Sequence, residues 1–185
     1  ALLKLGFKRK FALEKPYADM NAGGGIWEGQ GPRLDLFVGT VCNALALSAG
    51  MKKRGELFGE YGKLRVIMLS NEDVALLKSV TERPDDADDI ARIVRVSGID
   101  WNIILQECRA QSEGRPWFGA LFNKLTELRE RHGIDAPIAK QLLKLDKDIL
   151  LKAAYERRIS NKMSRVQALA ELKKQGFTKK ELSAL

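Results

Sequence analysis

The chain has 185 residues, 45% of them hydrophobic and 30% charged, with a formal net charge of +8. That length and composition suit one ordinary domain, or a small domain with an appendage, with enough apolar material for a core. No apolar run reaches the roughly 18 residues of a membrane span, and two cysteines with one histidine nearly exclude a thiolate or imidazole zinc centre.

The start, Ala1-Leu2-Leu3-Lys4-Leu5-Gly6, meets Lys8-Arg9-Lys10 too soon for a secretory signal, so a cytoplasmic protein is expected. It reads as a helix end stopping at Gly6, then an extended piece with Phe7 and Phe11. The run from Gly23 to Pro32 is glycine-rich like a phosphate loop. A dinucleotide fingerprint, however, follows a strand and opens a helix, whereas Gly31-Pro32 leads into the apolar stretch Arg33 to Val38. A hairpin is predicted instead: Gly25 to Glu28, a turn at 29–31, then Arg33 to Val38. Asp35 lies between Leu34 and Leu36, and alternation across a sheet predicts that it points away from the face the leucines bury.

Val41 to Ser48 is short and apolar, strand or helix. Met51 to Tyr61 sets the basic cluster Lys52-Lys53-Arg54 beside Leu57, Phe58 and Tyr61. Leu64 to Leu69, apolar and rich in β-branched residues, is the clearest buried strand. Ser70 or Asn71 then caps a helix whose first turn holds Glu72 and Asp73 and on one face of which Val74, Leu77 and Val80-Thr81 return.

After Arg83-Pro84 the pattern turns helical. Asp85 restarts a helix with Ile90, Ile93, Val94 and Val96, and Asp100 caps the next, with Trp101, Ile104, Leu105 and Cys108 on one stripe. Pro116 opens a helix through Trp117, Leu121, Leu125 and Leu128 to Gly133. His132 falls at its solvated end, where the helix dipole favours a cation. Asp135 and Pro137 open a long helix through Leu142, Leu143, Leu150 and Ala154. Asn161 to Gln175 forms another, and Gly176-Phe177-Thr178 starts a last short one ending at Leu182.

Charge is uneven. Residues 71–100 carry eight acids against four bases, while Lys140 to Leu185 carry twelve Lys/Arg against five Asp/Glu. An acidic middle and a basic end suggest a cation site in one and an anionic partner at the other.

The ordered series Arg33-Leu34-Asp35-Leu36-Phe37, Leu69-Ser70-Asn71-Glu72-Asp73, Lys78, Glu82-Arg83 with Asp85-Asp86 and Asp88-Asp89, and Gly98-Ile99-Asp100-Trp101 resembles the nucleotidyltransferase superfamily, the polymerase-beta-like fold. The likeness is to its small prokaryotic branch related to toxin–antitoxin nucleotidyltransferases, and it covers about residues 1–135. It implies an α+β fold: a partial nucleotidyltransferase-like mixed β-sheet over 1–70, a helical region over 71–135 and a basic helical tail over 136–185. It also implies transfer of a nucleoside monophosphate from a triphosphate to an acceptor, with three carboxylates holding two Mg2+. By this resemblance Asp35 is the third, metal-binding and catalytic carboxylate, Lys78 and Arg83 meet the nucleotide phosphates, and Asp86 or Asp89 supports the site. Such metal-assisted transfer needs two cations clamping the attacking and leaving oxygens.

The sequence departs from the family at its start. No Gly-Ser turn with an Asp-x-Asp pair precedes Asp35; the acids there are Glu14, Asp19 and Glu28, none in that spacing. One carboxylate cannot hold two hard divalent ions, so the chain is expected to be inactive or weakly active, as a truncated or decayed relative, unless a partner protein or a second copy supplies the missing ligands. The competing reading is a non-enzymatic helical protein whose tail, through Arg157, Arg158, Lys162, Arg165, Lys173 and Lys174, binds nucleic acid or an acidic partner. Phosphate contacts alone would make that binding non-specific and salt-dependent.

Overall fold

A computed structural model describes residues 2–11, 22–81, 83–112, 117–145 and 147–185. The expectations on Glu14, Asp19, Glu82 and Pro116 lie outside the described residues, as does the side chain of Leu150. The chain divides into two compact units, Ala1–Asp86 and Ala87–Leu185. The class is α+β.

The first unit opens with a short 3-10 helix, Leu2–Leu5, stopped by Gly6 in the left-handed region. Strands β1 (Lys8–Lys10), β2 (Gly25–Glu28) and β3 (Leu34–Leu36) form an antiparallel sheet in that order. The predicted hairpin is therefore present as β2–β3, with Gly25 opposite Leu36 and Ile26 opposite Asp35. Its glycines have a steric cause. A Cβ on Gly24 would stand 2.6 Å from Leu36 Cβ, and one on Gly25, at φ +84°, would stand 2.6 Å from Arg9 Nε. Close approach of neighbouring backbone and side chains explains Gly24 and Gly25.

Short strands β4 (Thr40–Val41) and β5 (Leu45–Ala46) pair next across a turn at 42–44, so the stretch from Val41 to Ser48 is part strand and part turn. Helix α1 (Ala49–Arg54) is capped by Ser48, whose hydroxyl accepts from the Met51 amide. Strands β6 (Glu56–Tyr61) and β7 (Leu64–Met68) form a separate two-stranded ribbon, and helix α2 (Asn71–Ser79) follows, capped by Ser70. The mixed sheet expected from the sequence is replaced, among the described residues, by three small antiparallel sheets. The buried apolar residues of this unit are Ile26, Leu45, Met51, Ala75 and Leu76.

Two expectations here fail. Strand β7 is not buried: Leu64 and Met68 are exposed, as are Leu57, Phe58 and Tyr61 of β6. Apolar, β-branched composition shows that a strand can be buried; a second packed layer decides whether it is. In α2 the buried residues are Asp73, Ala75, Leu76 and Ser79, whereas Val74, Leu77 and Val80 are half-buried. The buried face carries the Asp73 carboxylate, which apolar periodicity does not register.

Helix α3 (Asp86–Ser97) begins at the end of the first unit. The second unit contains the rest of α3, then α4 (Trp101–Ala110), α5 (Phe118–His132), α6 (Ala139–Leu145), α7 (Lys147–Ser160), α8 (Arg165–Lys174) and α9 (Lys179–Leu182). Asp100 caps α4, and Gly133 closes α5 in the left-handed conformation, both as predicted. Ile104, Leu105 and Cys108 of α4 and Leu121, Leu125 and Leu128 of α5 are buried at helical spacing. Trp101 and Trp117 are half-buried, and Val96 is exposed.

The stretch from Asp135 to Ala154, predicted as one long helix, becomes helical only at Ala139 and is described as α6 and α7, with residue 146 between them outside the described residues. The stretch from Asn161 is also shortened. Lys162, at φ +62°, ends the turn after α7, and a reciprocal Ser164–Gln167 capping box starts α8 four residues later than predicted. Helix α5 packs on α7, and α7 on α8. Phe122 meets Phe177 edge to face, with ring centroids 6.4 Å apart.

Candidate functional site

The first unit gathers Asp35, Lys78, Arg83 and Asp86 in one charged cluster. Asp35 lies on β3, the edge strand of its sheet. Residues directly opposite on paired strands share a face, so Asp35 shares one with Ile26, its buried cross-strand neighbour. This corrects the sequence-based reading: Leu34 is half-buried and Leu36 exposed, while the Asp35 side chain is only 12% accessible.

A carboxylate there needs compensation, and two guanidiniums provide it. Arg33 Nη2 donates to Asp35 Oδ2 at 2.8 Å, and Arg83 Nη1 stands 3.5 Å from the same oxygen. Asp35 Oδ1 is buried with no hydrogen-bond partner among the described residues.

Arg83 is held by a second carboxylate. Asp86, 1% exposed, accepts from Arg83 Nη2 at 2.9 Å, from the Arg83 amide at 3.2 Å, from Lys78 Nζ at 3.1 Å and from the Thr81 hydroxyl. Burial alone would raise the Asp86 pKa, but the hydrogen bonds from Thr81 and Arg83, the Arg83 charge and the Lys78 hydrogen bond outweigh it and hold the pKa below its ordinary value. The local sequence explains the geometry. Lys78 occupies the last turn of α2, and Asp86 opens α3, so the short connection between them faces Lys78, Thr81 and Arg83 toward one acid. Asp86 thereby fixes Arg83 between two carboxylates.

Among the described residues the cluster joins three cations (Arg33, Lys78, Arg83) and two acids, and each cation keeps part of its side chain accessible. An anion such as a phosphate would meet guanidinium and ammonium groups already oriented there. Of the residues singled out in the sequence, Asp35, Lys78, Arg83 and Asp86 are thus brought together, while Asp89 belongs to the second unit. Arg33, two residues before Asp35 and just outside β3, joins them through its bond to Asp35.

A second buried pair was missed. Arg54 grips Asp73 with both Nε (3.0 Å) and Nη2 (2.6 Å), and the Ser70 hydroxyl adds a 3.0 Å bond to the same carboxylate. Asp73, three residues before Leu76, sits on the buried stripe of α2, which was the one trace of it in the sequence.

The donor set does not fit a two-magnesium centre. Among the described residues no group of three or more His, Cys, Asp and Glu stands together as metal ligands. Asp35 offers one unpartnered oxygen, and its other oxygen faces two guanidiniums, whereas each Mg2+ wants near-octahedral oxygen. Cys108 is buried, and burial pushes its pKa up to about 11. His132, expected at a solvated helix end, is mostly buried with Nε2 2.8 Å from Asp88.

The basic tail is partly spent on packing. Arg157 donates to the Asn123 carbonyl at 2.7 Å, and the buried Arg158 bonds Glu171 at 3.1 Å and the Ala154 carbonyl at 2.9 Å. Lys162, Arg165, Lys173 and Lys174 are exposed.

Residues 37–117 match the model of a family described as a nucleotidyltransferase of unknown function (DUF6036). This stretch, which contains Lys78, Arg83 and Asp86 and begins just after Asp35, is where the chain is similar to that family. No curated protein and no solved structure gives a match.

Proposed function

We propose that the first unit is the triphosphate-facing part of a nucleotidyltransferase, related to the toxin–antitoxin branch and acting on a nucleoside triphosphate. Lys78 and Arg83 meet the phosphates, Asp86 positions both, and Asp35 presents one carboxylate oxygen to magnesium carried by the nucleotide. The observation that carries this reading is Arg83 stretched between Asp35 and Asp86 with Lys78 on the same acid, within or beside the family match. A single carboxylate with cationic neighbours suits one nucleotide-borne Mg2+, since that ion keeps phosphate and water as most of its ligands. With only this carboxylate, binding of the nucleotide exceeds turnover unless a partner protein or second copy adds ligands.

Calorimetric titration with ATP tests the reading. Magnesium tightens binding in the natural chain, Lys78→Ala weakens it by about tenfold, as expected for one charge-assisted contact, and Asp35→Ala removes the effect of magnesium. ATP affinity unchanged by both substitutions would overturn it.

A second reading, nucleic-acid binding by the tail, draws on the exposed Lys162, Arg165, Lys173 and Lys174. Its phosphate contacts would weaken steeply with salt. RNA or DNA binding that survives Asp35→Ala but fails after charge reversal at Lys162, Arg165 and Lys173 would favour it over the first.

A further inference from the structure

The second unit holds a cavity of about 650 Å3 between α5, the α5–α6 connection, α6 and the end of α8. Its apolar wall is Phe122, Leu125 and Leu143, and three cations from three helices line it: Arg129 of α5, Lys140 of α6 and Lys174 of α8. Some basic side chains elsewhere in this unit are paired. Lys124 and Arg131 sit on Glu127, Lys147 on Glu181 and Arg158 on Glu171. Arg129, Lys140 and Lys174 have no ion pair among the described residues, and all three are exposed. Asp135, also a lining residue, is the one acid of the lining.

Three cations from separate helices border one concavity whose lining holds a single acid. They match an anion. A bare inorganic anion would leave the apolar wall wet, and a neutral apolar molecule would leave the cations idle. The volume falls within the range of small-molecule sites. We propose that this cavity binds a small organic phosphate of nucleoside-monophosphate size: its phosphate lies among Arg129, Lys140 and Lys174, its flat body lies on Phe122, Leu125 and Leu143, and Asp135 accepts a hydrogen bond from an amine or hydroxyl of that body. This site is independent of the charged cluster in the first unit.

Calorimetric titrations of the full chain with adenosine monophosphate, adenosine and inorganic phosphate separate the parts. Adenosine monophosphate is expected to bind more tightly than either of the others, and more weakly as salt rises. Lys140→Glu with Lys174→Glu, at exposed positions, should weaken it by at least about tenfold, since each lost charge-assisted contact is worth about that factor. Leu143→Trp, which fills the cavity and leaves every charge in place, should weaken it similarly, while Lys152→Glu, a charge reversal at an exposed position outside the lining, leaves it unchanged. An unchanged circular dichroism spectrum and melting temperature certify the variants as folded. The proposal is overturned if adenosine monophosphate fails to bind, binds no better than inorganic phosphate, keeps its affinity in the charge-reversed variant, or loses it equally in Lys152→Glu.

Discussion

Replacing Asp86 with asparagine keeps its shape and removes its charge, leaving Lys78 and Arg83 facing a neutral amide. Breaking a fully buried ion pair costs about 3–5 kcal/mol. Here the cations retain some access to water, and Arg83 keeps Asp35 at 3.5 Å, so the loss should be nearer 2 kcal/mol, the lower end of what charged hydrogen bonds contribute. The pH dependence separates charge from packing. The folded pKa of Asp86 lies below its unfolded value, which is about 3.9. Between the two values the unfolded chain binds more protons, so stability rises with pH there. The contribution is complete above the unfolded pKa and vanishes as pH falls through the folded one. Urea unfolding of both proteins at pH 7 and at progressively lower pH should therefore show a difference near 2 kcal/mol that shrinks in acid. A difference below about 0.5 kcal/mol at neutral pH, or one that stays constant into acid, would refute the argument, the first value being the ordinary scatter of surface substitutions.

Two further predictions concern groups with no part in binding. Asp73→Ala strands the fork of Arg54 and the Ser70 hydroxyl. Removing this buried acid, which is 1% exposed, should cost about 3 kcal/mol in denaturant unfolding, and a loss below about 1 kcal/mol would show the pair to be dispensable. Cys108, buried with its pKa raised to about 11, should resist iodoacetamide at pH 8 in the folded protein while the more accessible Cys42 reacts. Equal labelling of both, read by mass spectrometry, would contradict its burial.

Most local punctuation of the chain was legible. Gly6, Ser70, Asp100, Thr178 and Gly133 end or start elements where a helix needs its terminal amides satisfied or a left-handed residue. These features depend on residues three or four apart, so a short window contains all the physics. The hairpin of β2 and β3 was legible for the same reason, since its turn and its glycines lie together. Site residues were legible where acid and base lie close in sequence, as with Lys78, Arg83 and Asp86.

The sequence by itself thus determined the elements, the helical character of the second half and the residue types at the charged cluster. Tertiary structure decided three other matters: that Asp35 shares the face of Ile26, that Arg83 reaches it across 48 positions of chain, and that the β6–β7 ribbon stays exposed. Each depends on which segment packs against which. A side chain's alternation along its own strand names two faces but not the one that will be covered, and a basic residue's sequence neighbours do not reveal which distant acid will neutralise it.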